Sequence, residues 1–507
     1  MNHNKTIPGI FVLIALVAAT SLVYADCFAV VVGKKASADG SVIVGHNEQN
    51  SGRMIANYRY VPRMKHEPGA VVKLRRGGTL PQVAETNAFL WQEVPNCEWS
   101  DSYFNEHGVT ICSDRCSTRE DSWEELVKRG DVEGGGIGYM LRRLVAQRAK
   151  TAREGVEIAG ELINKFGYWD SGRSYVIADP NEAWVLAIAR GKHWIAQRVP
   201  DDAVVCIPNI HVIGPEADLS DNKNVIASPG LVEYATKRGW YDPKSGKPFS
   251  FMDAFNLPPE KNSYREKNGH DPRQFGGQPT VDGVFRVPEK GPLPFSVKPA
   301  HKMEVADVAK ILRSHVRGQL PSDKGAPHLL DVETGMNICT KTTQAAQIFQ
   351  LRSNMPKEIG CVAWRATTAP CTGVLIPFYL GITETPEDFY KPCDIKKALS
   401  LDYHFNYPEE KLVFDSDFAF DIFNETENLA ERNYAEAIKI IREAWDKFEK
   451  QEFEMQSRIE NGALTLYKKD KDKARQHLTE YTHKLTRLAV SKAKELNIKL
   501  KTKFWAE

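Results

Sequence analysis

The chain has 507 residues, is 42% hydrophobic, and carries 67 basic against 66 acidic side chains for a formal net charge of +1. That apolar content suffices for a large buried core and excludes an intrinsically disordered chain. The near-zero charge balance offers no field to draw nucleic acid or an anionic membrane, so small molecules are the expected partners.

In chain order, the first segment reads as an export leader. Lys5 gives a positive start, Ile10 to Ala19 (IFVLIALVAA) is an apolar run too short to span a bilayer, and Val23-Tyr24-Ala25 resembles a small-residue cleavage site. A signal peptide over 1–25 leaves Asp26 as a pro-residue ahead of Cys27. No later apolar run is long enough for a membrane span, so stable membrane insertion after cleavage is not expected. Next, CFAVVVG and SVIVGH flank KKASADG, whose Asp39-Gly40 pair favours a tight turn, and this predicts an opening hairpin.

Further strands are expected at Gly108 to Cys112, Ser174 to Ala178, Ala183 to Ala189, Trp194 to Arg198, Ala203 to Ile207, Gly360 to Arg365 and Gly373 to Tyr379, with links too short for crossover helices. From Ile137 to Phe166, apolar spacings of three and four predict two amphipathic helices. Residues 258–299, rich in Pro, Gly and Asn, read as an excursion over the surface. From Glu425 onward the chain turns helical and charged, with an apolar stripe through Leu478, Tyr481, Leu485, Leu488, Leu496 and Leu500. It is read as a helical layer packed on the core.

Cys27 carries the chemistry. A thiol pKa near about 8.5 beside an α-amino pKa of about 7.7 to 8.0 lets a newly exposed amine accept the thiol proton, so one residue supplies both nucleophile and base. Such a site needs amide donors for the oxyanion. The other eight cysteines are even in number, compatible with disulfides or with small buried hydrophobes. Cys112 and Cys116 beside His107 are too loosely spaced for a metal motif, and Gly134 to Gly138 lacks a full phosphate-binding fingerprint.

CFAVVVGKKASADGSVIVGHNEQN resembles the amino-terminal signature of the bacterial dipeptidase A family, cysteine dipeptidases related to secernins within the N-terminal-nucleophile (Ntn) hydrolases. Shorter blocks continue the resemblance, in order, to about Gly381: Leu80 to Val83, Phe89 to Trp91, Asn105 to Val109, Arg119 to Asp121, Ser174 to Asp179, Pro208-Asn209 and Ile376 to Tyr379. The resemblance implies an α+β fold, a four-layer αββα sandwich of two antiparallel sheets, spanning 27–424 and followed by the helical region 425–507.

It also implies hydrolysis of dipeptides by Cys27, with Asn105 and Asn209 as oxyanion or substrate ligands and Arg352 as an active-site cation. Related amidases carry R-N-x-D on the second strand, where this chain reads His46-Asn47-Glu48-Gln49. His46, Asn47 and Gln49 are therefore candidate orienting or substrate-binding residues. Gln49 removes a charge expected near the amine, and Glu48 is expected on the opposite face of a regular strand. The overall expectation is an exported, periplasmic or secreted cysteine dipeptidase that needs no metal or organic cofactor and acts on small peptides. A homo-oligomer is compatible with it. The alternatives are an amidase or acylase for N-acyl substrates and a catalytically silent member with a binding or structural role.

Overall fold

A β-branched run on each side of an Asp-Gly turn builds the first two strands. β1 (Phe28–Val32) and β2 (Val42–Gln49) pair antiparallel from Phe28 opposite Asn47 to Val32 opposite Ile43. Gly40 takes the left-handed φ of 77° that closes the turn, and the Asp39 carboxylate accepts the Ser41 N–H at 3.1 Å. The computed structural model describes residues 27–50, 54–119, 122–261, 270–283, 291–315, 328 and 337–504. The expected leader and Asp26 lie outside them.

β1 and β2 sit inside a six-stranded antiparallel sheet ordered Val204–Ile207, β1, β2, Thr343–Leu351, Cys361–Thr367, Ile376–Tyr379. A second sheet has eight strands, ordered Val225–Ala227, Trp194–Arg198, Ala183–Ile188, Arg173–Ala178, Thr110–Arg115, Ser102–Asn105, Phe89–Glu93, Asn57–Val61. The sheets pack face to face. Ala29, Val31 and Val44 share one apolar cluster with Cys112, Val176 and Val185 of the second sheet. That sheet's other face, with Ile111, Ile177, Trp184 and Leu186, is covered by the helices Met140–Arg148 and Ala152–Phe166. Every residue of β1 and β2 is buried, which two-sided coverage requires.

The outer face of the first sheet carries the helix Val305–Leu312, the helix Ala419–Ala430 and a pair of 34-residue helices, Tyr434–Tyr467 and Lys471–Phe504. The layering is thus αββα and the class α+β. Leu478, Leu485, Leu496 and Leu500 of the last helix join the sheet's own core, while Tyr481 is partly buried against it and Leu488 is half exposed. Burying each such leucine contributes about 1.5–3 kcal/mol. The two Arg352 guanidinium nitrogens meet the two Glu460 carboxylate oxygens, one pair at 2.8 Å, tying the end of the Thr343–Leu351 strand to the first long helix.

Two expectations are revised. The 258–299 stretch is not a simple surface excursion: its described part contains the helix Pro272–Asp282, which starts beside the buried Asp271, buries Arg273 in its first turn and packs Gly277 against Cys206 and Phe28. All nine cysteines are free thiols, and all but Cys393 are buried, so the small-hydrophobe reading holds over the disulfide one. Cys116 rests 3.3 Å from the Ser174 hydroxyl.

Candidate active site

Cys27 stands at the head of β1 and is 2% exposed. Extending the register of β1 and β2 by one pair places it opposite Glu48, so Cys27 and Glu48 share the inner face. Cys27 Sγ lies 3.5 Å from Glu48 Oε1 and accepts the Gln49 backbone N–H at 3.4 Å. Glu48 Oε1 also accepts from Asn50 Nδ2 at 2.7 Å, whereas its Oε2 is buried with no hydrogen-bond partner among the described residues. His46, two residues back on the same face, places Nε2 3.5 Å from Asp114 Oδ1 across the inter-sheet space. Arg173 comes from the strand beside Asp114. Its Nε donates to the Tyr168 hydroxyl and its Nη1 to the Ser113 hydroxyl, and its Nη2 lies 4.0 Å from Asp170 Oδ2, so the side chain is held on the helix-covered side of that sheet.

Electrostatics follow from this enclosure. Burial pushes the Cys27 thiol well above its ordinary range; the Glu48 and Asp114 charges act in the same direction, and the Gln49 N–H and Arg173 oppose them. Burial likewise raises Glu48, against the pull of His46 and Arg142, and raises Asp114 against His46. For His46, burial is the largest influence and acts downward, yet hydrogen bonding to Asp114 and the charges of Asp114 and Glu48 outweigh it, leaving the imidazole raised. With two carboxylates around a neutral thiol, the centre favours an added positive charge.

The expected site residues divide. Cys27 and His46 share the inner face. Asn47 and Gln49 do not: Asn47 Nδ2 donates to the Leu312 and Ile338 carbonyls at 2.9 Å each, and Gln49 Nε2 donates to the Ile338 carbonyl and the Thr343 hydroxyl on the outer side of the sheet. Gln49 touches the thiol only through its backbone. The expectation that Glu48 faces away is corrected, because the pairing register, without any bulge in β2, sets it opposite Cys27; the irregularity lies in the neighbouring strand, between Thr343 and Ala345.

Asn105 is consumed structurally. Its Nδ2 donates to the Ala146 and Ala149 carbonyls and its Oδ1 accepts the His107 and Val109 N–H groups, all on the helical side of the second sheet. Arg352 is spent on Glu460 and the Gly360 carbonyl, on the side of the first sheet covered by the long helices. Asn209 follows the strand that flanks β1. Its Nδ2 donates to the Arg115 carbonyl and its Oδ1 accepts from Arg273 at 2.6 Å. Asp114, Arg173 and Arg273 escaped notice in the sequence, although a charged residue inside an apolar strand pattern such as TICSDR or RSYVIA is itself a signal.

A buried thiol at a strand head, flanked by carboxylates and an imidazole, defines a cysteine-hydrolase type of centre. The chain belongs to peptidase family C69, whose model matches residues 26–446. It is 29% identical to a probable dipeptidase of Salmonella dublin, with 73% of this chain and 83% of that protein covered. It is 27% identical to a probable dipeptidase of Latilactobacillus sakei (72% and 76% covered) and 28% identical to a dipeptidase of Bifidobacterium longum (71% and 72%). Among solved structures, a mutant conjugated bile acid hydrolase from Clostridium perfringens aligns over 67% of this chain and 89% of its own, at TM-score 0.30 and 12% identity. That likeness is too slight to bear on chemistry.

Proposed function

We propose that the chain is an exported cysteine dipeptidase whose nucleophile is Cys27 after removal of everything before it. The observation that carries this reading is the buried, half-unpaired Glu48 carboxylate beside Cys27. An α-ammonium on residue 27 would add a cation directly beside Glu48, whose Oε2 has no hydrogen-bond partner among the described residues. Glu48 then takes the part that sequence reasoning assigned to the position of Gln49.

In the reaction, the free amine takes the thiol proton and the thiolate attacks the scissile carbonyl. The protonated amine returns a proton to the leaving amine, and water releases the acyl group. Asn209, held by Arg273 and the Arg115 carbonyl, is proposed as an oxyanion or substrate ligand. It continues the strand in which Ile207 faces Ala29, which brings it level with Cys27. Export to the periplasm or medium rests on the leader-like residues 1–25, and no helix among the described residues is long and apolar enough to cross a membrane.

Intact mass and amino-terminal sequencing of active protein, combined with hydrolysis of free dipeptides against N-acyl amino acids, tests the reading. A chain starting at Cys27 that cleaves dipeptides, and loses the activity as Cys27→Ala, is expected. Full activity with a residue still ahead of Cys27, or cleavage of acylated compounds alone, would sink it.

A further inference from the structure

Far from Cys27 in the sequence, a second cluster gathers His315, His328, Cys339 and Cys371. One candidate ligand atom from each lies within 4.8 Å of all the others. His315 Nε2 is 3.0 Å from His328 Nε2, and His328 Nε2 is 3.7 Å from Cys339 Sγ and 3.6 Å from Cys371 Sγ. Zinc bonds of about 2.0–2.1 Å to nitrogen and about 2.3 Å to sulfur at tetrahedral angles demand edges of about 3.3 Å between nitrogens and about 3.6 Å between nitrogen and sulfur. The three edges that meet at His328 Nε2, at 3.0, 3.6 and 3.7 Å, lie close to those values.

A second, independent feature points the same way. His328 Nδ1, the nitrogen turned away from the cluster, lies 2.7 Å from Glu431 Oε1. Metal-binding histidines characteristically turn their other ring nitrogen toward a carboxylate, and Glu431 stands at ion-pair distance from His328 Nδ1 in that place. The donors come from separate segments, of which those of His315, Cys339 and Cys371 are anchored by hydrogen bonds. The Ser314 carbonyl accepts from both Ile338 and Cys339 N–H groups, joining the His315 turn to the Cys339 loop. The Cys371 turn is held by Arg313 on the Pro370 carbonyl, Arg442 on the Gly373 carbonyl and Trp445 on the Thr372 carbonyl. A surface cleft that includes Lys310, His315, Cys371 and Tyr434 in its lining provides an entry path.

We infer that His315, His328, Cys339 and Cys371 form a Cys2His2 site for a divalent zinc-class ion, with all four positions filled by protein and hence a structural role. The site would also brace the catalytic strand. Cys339 adjoins Ile338, whose carbonyl receives both Asn47 and Gln49 of β2, so an ion holding this loop holds the outer side of the strand that presents His46 and Glu48. The widely separated ligands explain why no short motif announced it, and why the sequence alone suggested no metal.

Elemental analysis of the full-length protein, produced with added Zn2+ and desalted, is the test, and about one zinc per chain is expected for a closed four-ligand site. Cys371→Ser should lower the content at least tenfold, while Cys27→Ala should keep it, which distinguishes this site from the catalytic cluster. If Cys371→Ser fails to fold, Co2+ replacing zinc in the parent protein should give the intense tetrahedral thiolate–cobalt absorption. Zinc-free, folded parent protein without that absorption, or peptide mapping that finds a Cys339–Cys371 disulfide, would overturn the inference.

Discussion

At the scale of single residues, the centre turns on which face each side chain of β2 takes. The alternation of a strand makes neighbouring residues opposites, so misreading the facing by one position exchanges Glu48 for Gln49. If Glu48 holds the α-ammonium of Cys27, Glu48→Gln removes a negative charge and lowers the amine pKa. The acid limb of the kcat/KM pH profile then moves to lower pH, and the rate falls by about 10–100-fold at its optimum, within the range of a lost charge partner. An unchanged acid limb would exclude Glu48 from contact with the amine. The place of Cys27 at the head of the hairpin was legible because a cysteine ahead of two β-branched runs and an Asp-Gly turn constrains local structure. Asn105 was misassigned because a short motif does not reveal what a side chain is bonded to. Here its amide fastens a loop to the Ala146 and Ala149 carbonyls.

At the scale of elements, the hairpin, the paired helices between Met140 and Phe166 and the strands with unbroken apolar runs were readable from periodicity alone. The strand Thr343–Leu351 was not, since TQAAQIFQL mixes glutamine and alanine with few β-formers, although it is a central strand pairing β2 along nearly its whole length. Its far end places Arg352 against Glu460, and this element-level tie predicts the outcome of Arg352→Ala. Because it strands a buried carboxylate, the change should cost about 3–5 kcal/mol of stability by denaturant unfolding, with kcat/KM per folded molecule nearly unchanged. A catalytic arginine would show the reverse. Gly45 reports on the layer above it: a Cβ there would lie 2.5 Å from the Val308 methyl and 2.9 Å from that of Val30. Gly45→Ala should therefore lift the helix Val305–Leu312 and cost about 1–3 kcal/mol, read as a lower denaturation midpoint.

At the scale of the whole molecule, several buried titratable groups tie stability to pH. Burial pushes His211 down to about 3, and the same cause pushes His193 down to about 4. A histidine held neutral in the fold but protonated when unfolded stabilises above its unfolded pKa of about 6.5, and that contribution drains away as pH falls toward the folded value. For His211 alone the loss reaches about 2 kcal/mol by pH 5. Replacing it as His211→Asn should flatten the decline between pH 6.5 and 4 in urea unfolding, whatever it does to the midpoint at neutral pH, and an identical slope would refute the assignment. The chain's connectivity has a further consequence. β2 leaves the ribosome early, but its sheet neighbour begins only at Thr343, and Val44 waits for Phe349. Until that late segment arrives, the hairpin has an open edge and no finished sheet, so the chain stays unlocked through most of its synthesis. A polypeptide in that condition leaves the Cys27 thiol open to solvent until the Thr343–Leu351 segment arrives.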